Sequence, residues 1–113
     1  MKKANDMETI KVCLGTEVKI NINNEPIGKQ TMDDYEWSVE AYAPRGRGKV
    51  TISKEQAIRV DADIYIVVID TAAVGVGDLY IKQTALIPDA DLPDKKRTEV
   101  DVQWTGLTIV TAK

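Results

Sequence analysis

The sequence predicts an all-β protein folded as an antiparallel β-sandwich. The first observation is a period-2 alternation of apolar and polar residues along many short stretches, the pattern of strands with one buried face. The second is that turn residues such as glycine, proline, asparagine and aspartate separate these stretches. The third is an abundance of valine, isoleucine and threonine without long amphipathic helical patterns. Sheets that each bury one face are expected to pack on each other.

The number of strands indicates the type of sandwich. About seven to nine short strands in a chain of 113 residues are typical of an immunoglobulin-like fold. The disulfide of antibody domains is excluded because Cys13 is the only cysteine, so the expected likeness is architectural. A small closed barrel of the OB type is the alternative, although such barrels usually carry a helix where this sequence predicts single turns. Residues 1–7 are predicted to be a flexible tail, and residues 8–113 a single domain.

In the first half of the chain, alternation predicts four strands, near residues 10–14, 18–22, 35–41 and 50–52. Trp37, in the third of them, is predicted to fill the core, with stacking on a ligand as the alternative. After the fourth, Ser53 and Gln56 have the spacing of a capping box, which predicts one helical turn.

The stretch from residue 57 to residue 88 is predicted to form a central hairpin. Ile64, Ile66 and Val68 alternate with their neighbours and are predicted to face the core. Residues 65–69 are nevertheless apolar without interruption, and a strand that is apolar on both faces is usually central or covered by another element or chain. The second face is therefore predicted to be an interaction surface, and its residues are Tyr65, Val67, Ile69 and Tyr80.

The connection within this hairpin is predicted to be a capped helical turn. Asp70 follows the strand and can accept a backbone N–H bond at the start of a turn over Ala72 and Ala73. Gly75 and Gly77 permit the positive φ angles that close it. The Gly-Val-Gly sequence lacks the lysine and the following helix of a phosphate-binding loop, so its role is predicted to be structural.

Beyond Pro88, which ends the hairpin, the sequence predicts an aspartate-rich loop and two more strands. Val100, Val102 and Trp104 alternate with polar residues and are predicted to share a buried face. Thr105-Gly106 predicts a tight reversal or a bulge before a short last strand.

No catalytic chemistry is predicted, so we expect a protein that is not an enzyme and has no cofactor. The chain has no histidine, which removes the usual general base and the commonest metal ligand. Asp89, Asp91 and Asp94 invite a calcium hypothesis, but the glycine and glutamate spacing of a calcium-binding loop is missing. An aspartate-rich turn is the preferred interpretation of this loop.

Charge and hydropathy predict that neither nucleic acid nor a membrane is a partner. The net charge is −3, and the basic loop with Arg45, Arg47 and Lys49 is predicted to be solvated. No apolar segment follows the first lysines, and the longest apolar run is far shorter than the roughly 20 residues that span a bilayer. We therefore expect a soluble chain without a signal peptide.

The C-terminal part of the chain contains motifs that resemble a known family. These are DTAAVGVG at 70–77, LYI at 79–81, IPDADLPD at 87–94, RTEV at 97–100 and TGLTIV at 105–110. They are similar to the immunoglobulin-like domains of phage and prophage structural proteins from gut Bacteroides-type bacteria, and more distantly to the N-terminal domain of phage upper baseplate proteins. The chain departs from that pattern at Lys95-Lys96, where such proteins often carry glycine.

The resemblance implies a non-catalytic module that assembles into a virion, as a tail or baseplate-type component. Its partners would be protein, through self-association or contact with other virion proteins, and it would stay in the cytoplasm until assembly. The alternative is a carbohydrate- or cell-surface-binding sandwich that uses Trp37, Trp104 or loop aromatics as a stacking platform. That alternative requires at least one exposed tryptophan.

Overall fold

The computed structural model describes residues 10–46 and 48–111, so the predicted tail at residues 1–7 lies outside this range. Strands make up 62% and helices 7% of the structure, which confirms the all-β prediction. Eight strands form two sheets in this part of the chain. In chain order they are β1 (Ile10–Cys13), β2 (Glu17–Asn23), β3 (Glu36–Tyr42), β4 (Lys49–Ser53), β5 (Ile58–Asp61), β6 (Ile64–Asp70), β7 (Gly77–Pro88) and β8 (Lys96–Val110).

The two sheets differ in size and in strand order. The larger has five strands in the order β1-β8-β7-β3-β4, and the smaller has three in the order β2-β6-β5. Neighbours are antiparallel except β1 and β8, which run parallel, with Ile10 opposite Leu107 and Cys13 opposite Val110. The prediction of a wholly antiparallel fold is therefore wrong at this pair. The parallel arrangement is possible because β1 and β8 lie far apart in sequence and need no hairpin between them.

Buried residues of both sheets form one apolar core. Trp37 of β3 is 4% exposed, which confirms that this side chain fills the core. Its ring meets the ring of Tyr65, from the opposite sheet, edge to face, with centroids 4.9 Å apart. The indole N–H of Trp37 donates to the carbonyl oxygen of Met32 at 3.2 Å, so the polar end of the side chain is satisfied inside the core.

The phase predicted for β6 is wrong. Tyr65, Val67 and Ile69 are buried, while Val68 is 39% exposed and Ile64 and Ile66 are half-buried. Alternation could not choose the inner face because both faces of the strand are apolar. The choice is made by pairing with β2. In the register the buried β6 residues lie opposite the inward-facing residues of that strand, Val18 opposite Ile69, Ile20 opposite Val67 and Ile22 opposite Tyr65.

The predicted penultimate and last strands are one strand, β8. A shift of register opposite Asp78–Tyr80 of β7 marks a bulge near Gly106, which has a φ of +87°. Of the two outcomes predicted for this dipeptide the structure has the bulge. Val100 and Val102 are 54% and 48% exposed, so the prediction that they face inward is wrong. The pairing of Val102 with Lys82 places both on the outer face of the larger sheet.

The predicted central hairpin at residues 57–88 is wrong. β6 lies in the smaller sheet and β7 in the larger one, so the connection between them links the two sheets instead of closing a hairpin. The long first strand of that prediction is two strands, β5 and β6, which pair with each other.

The predicted turns have the expected local chemistry. A single 3₁₀ turn spans Lys54–Gln56, and the side-chain oxygen of Gln56 accepts from the backbone N–H of Ser53 at 2.9 Å. Asp70 caps α1 (Thr71–Val74) by accepting from the N–H of Ala72 at 3.0 Å. No helix among residues 10–46 and 48–111 is long and apolar enough to cross a membrane.

Candidate functional site

The residues predicted to form an interaction surface do not lie together on a surface. Tyr65, Val67 and Ile69 are 5%, 0% and 0% exposed and belong to the core between the sheets. Tyr80 is half-buried and follows Leu79, which is fully buried, so its side chain lies on the outer face of the larger sheet. For the three β6 residues this correction follows from the inverted phase of the strand, and for Tyr80 it follows because β7 belongs to the other sheet.

The apolar residues left outside by that inversion define another surface, the β6 face. In the antiparallel register Ile58 of β5 lies opposite Ile66, so both project to the same side of the smaller sheet. Ile58 on the edge strand β5 is 50% exposed, and Val68 on the central strand β6 is 39% exposed. The β6 face consists of Ile58, Ile64, Ile66 and Val68.

Polar residues of β2 border the β6 face on one side. Lys19, Asn21 and Asn23 lie opposite Val68, Ile66 and Ile64 in the register and are exposed. An apolar strip with a polar margin is the arrangement found where proteins contact other proteins, with water excluded at the centre and solvent at the rim. The β6 face therefore has the composition of a surface that packs against another protein, because its side chains are aliphatic and its border is polar.

A polar cluster on the other side of the smaller sheet fixes β5 in position. The guanidinium of Arg59 donates two hydrogen bonds to the carboxylate of Asp33, at 2.9 and 2.8 Å, and the hydroxyl of Tyr65 donates to the same group. The carboxylate lies in the polar stretch 29–34, which shows no alternation of apolar and polar residues. A polar segment without alternation gives no signal that one of its aspartates reaches a distant strand.

The hydrogen bonds within this cluster shift its acid–base properties. Donation from Arg59, and then from Tyr65, lowers the pKa of Asp33 from 3.8 to about 2. Burial raises the pKa of Tyr65 to about 12, and its hydrogen bond to the carboxylate acts in the same direction. Both groups therefore keep one protonation state near neutral pH, which suits a structural role and not general acid–base catalysis.

Three aromatic residues lie in a row on the outer face of the larger sheet. In the register Tyr80 of β7 lies opposite both Tyr42 of β3 and Trp104 of β8. The rings of Tyr42 and Tyr80 stack with centroids 5.9 Å apart and an interplanar angle of 21°. The two tyrosines therefore use one ring face on each other, which leaves less ring surface for a ligand.

The remaining loops that the sequence singled out are held by local ion pairs. Asp89 accepts from Arg97 at 2.8 Å and from the backbone N–H of Asp91 at 3.0 Å, so each of its two oxygens has a hydrogen-bond partner within the protein. No cluster of potential metal-ligating side chains occurs among the residues that the structure describes. In the basic loop Lys49 pairs with Glu40 at 3.3 Å, and Arg47 lies outside the described residues.

Comparison of the chain with protein-family models, with curated proteins and with solved structures finds no match. The class that the structure itself defines is an all-β domain of two sheets around one core. Its most distinctive surface is the apolar strip on the smaller sheet.

Proposed function

We propose that this domain is a non-catalytic assembly module with an immunoglobulin-like fold, of the kind that builds phage or prophage particles. The strand order supports the fold. If β2, β6 and β5 are named B, E and D, then β8, β7, β3 and β4 take the places of G, F, C and C′ in an immunoglobulin sandwich. The buried Trp37 then lies on strand C, as in that fold.

The β6 face is the observation that carries the assembly function. Burying its exposed apolar side chains against a partner would remove from water the strip that the domain alone leaves uncovered. The same strand is apolar on its inner face because it also forms the core. β6 is therefore apolar on both faces because its inner face forms part of the core and its outer face contacts a protein partner.

Replacement of Val68 by glutamate tests the contact surface. Val68 lies opposite Lys19 in the register, so the new carboxylate gains a cation neighbour and the fold is expected to survive. We expect the purified wild-type domain to increase in mass with concentration in light scattering, and the variant to stay monomeric. Val102→Glu is the matched control, since Val102 is 48% exposed and also lies opposite a lysine, Lys82.

Equal masses of wild type and both variants at high concentration would count against the β6 face as a self-association surface. A cross-linking experiment with the products of neighbouring genes then tests a partner of another sequence. The virion assignment has its own test: genes for tail or baseplate proteins are expected beside this one, and a neighbourhood without them would contradict it.

Carbohydrate binding is the second candidate function, favoured by the row of Tyr42, Tyr80 and Trp104. Trp37 is buried, so this hypothesis depends on Trp104, which is half-buried. We expect acrylamide to quench part of the tryptophan fluorescence, and an added oligosaccharide to protect that part. Complete resistance of both tryptophans to the quencher would rule the platform out.

A further inference from the structure

The free edge of β2 is the starting point for a second interaction site, independent of the β6 face. Within residues 10–46 and 48–111, β2 pairs only with β6. The N–H of Asn24 donates to the oxygen of Asp63, and the oxygen of Thr16 accepts from the N–H of Thr71. In an antiparallel ladder these bonds assign the even-numbered backbone groups of β2 to β6. The odd-numbered groups, including those of Lys19 and Asn21, point to the free edge.

A cleft lies beside this edge, between β2 and the inner face of β7 and β8. Its cavity volume is about 410 Å³, and one wall is formed by residues 19–23 of β2 and by Asn24, which follows the strand. The opposite side includes Ile81 and Leu107, which are apolar, and Asp101, which is exposed. A second groove of about 430 Å³ continues the cleft past Asp101 to Glu99. The larger sheet therefore extends beyond the smaller one on this side, leaving room for one more strand.

The polar groups of the cleft indicate what would fill it. Gln83 lines both grooves, and its side-chain N–H₂ is buried without a partner among the described residues. An unsatisfied buried donor is costly, so an occupant is expected to bring acceptors. An extended polypeptide brings backbone carbonyls at regular spacing, and it also satisfies the free edge of β2.

We propose that the β2–β8 cleft accepts an extended strand from a partner protein. The strand hydrogen-bonds to the odd-numbered backbone groups of β2 and directs apolar side chains toward Ile81 and Leu107. At the other end of the cleft, Asp101 and Glu99 place negative charge, so the strand carries a lysine or arginine there. The partner is thus recognised by β-strand addition with a basic end, not by the packing of two folded faces.

A capped peptide of about nine residues, with lysine at both ends and threonine and valine alternating between them, tests this site. We expect hydrogen exchange of the Lys19 and Asn21 amides to slow at least about tenfold when the peptide is added, because these amides become hydrogen-bonded. The even-numbered amides of β2 already bond to β6 and serve as an internal control. A peptide with glutamate in place of lysine is expected to bind at least about tenfold more weakly.

Variants of Asn21 separate edge pairing from other modes of binding. Asn21→Pro removes the N–H that points to the free edge without removing a bond to β6, and proline is tolerated at such edge positions. We expect this variant to lose peptide binding, and Asn21→Ala, which keeps the N–H, to retain it. Asp101→Lys provides a second test that leaves β2 intact, and it should weaken binding of the lysine peptide.

Three results would overturn the proposal. The first is equal binding by the proline and alanine variants. The second is slow exchange of the Lys19 and Asn21 amides without peptide that becomes fast when residues 1–9 are removed, since the occupant would then be the chain itself. The third is self-association that Asn21→Pro abolishes and that Asn21→Ala and Val68→Glu leave unchanged, which would assign the edge to a second copy. Val68→Glu separates this result from association through the β6 face, because Val68 lies outside the cleft.

Discussion

Two adjacent valines show how sharply burial changes along β6. Val67 is fully buried and Val68 is 39% exposed, although both are apolar and both belong to the same strand. We predict that Val67→Ala lowers the free energy of unfolding by about 2 kcal/mol, since it leaves a cavity in the core. Val68→Ala is expected to cost less than about 1 kcal/mol. Urea denaturation measures both, and equal losses would contradict the phase of the strand.

The carboxylate of Asp33 gives the domain a pH dependence. Its pKa is depressed to about 2 in the folded state, so its contribution to stability is fully present above its unfolded value, near 3.8. We predict that this contribution is lost as the pH falls from about 4 toward 2, because protonation weakens the pairing with Arg59.

Thermal unfolding of Asp33→Asn across this pH range measures the effect. The variant should melt at a lower temperature than wild type at neutral pH, and the difference should shrink as the pH approaches 2. Asp94→Asn is the control, since Asp94 is exposed and lies far along the chain in the loop before β8. A melting difference for Asp33→Asn that did not change with pH would show that the ion pair is not its origin.

At the scale of elements, α1 is held against the loop before β4. The N–H of Gly48 donates to the carbonyl of Val74 at 3.2 Å, and a Cβ at position 48 would overlap the carbonyl oxygen of Ala73. We predict that Gly48→Ala destabilises the domain by about 3 kcal/mol, because backbone must move to relieve the overlap. Gly28→Ala is the control: Gly28 has a φ of +62° but open space around it, so about 1 kcal/mol is expected.

The alternation of apolar and polar residues predicted the buried face of a strand correctly where the other face was polar. The alternation of β2 and β3 identified the buried Val18, Ile22, Trp37 and Val39, because their neighbours are charged or hydrophilic. The same reasoning assigned the wrong face to β6, where pairing decides. In β8 it failed because the valines lie on the outer sheet face, while Asp101 and Gln103 lie on the opposite face beside the cleft and stay exposed. Neither reversal has a signal within the strand itself.

At the scale of the molecule, the position of the candidate site depended on contacts between distant segments. The sequence predicted that β6 would be apolar on both faces and that one face would meet another chain. It could not show which face, since that depends on the pairing of Val18 with Ile69. The cleft beside β2 was not predicted, because it arises from the unequal sizes of two sheets.

The chemistry of the β6 face predicts how association responds to solution conditions. Its residues are aliphatic and the chain has no histidine, so no side chain on this surface titrates between about pH 5 and 8. We predict that the mass measured by sedimentation changes little between about 0.05 and 0.5 M sodium chloride, because screening acts on charges. Dissociation at high salt would indicate an electrostatic interface elsewhere.

The parallel pairing of β1 with β8 has a mechanical consequence. Since the two strands run in the same direction, a pull on Ile10 against Val110 acts along them and loads their hydrogen bonds together, in shear. An antiparallel hairpin pulled at its open end would instead unzip one bond at a time. A domain that carries tension through these two strands therefore resists stretching until the whole pair slips.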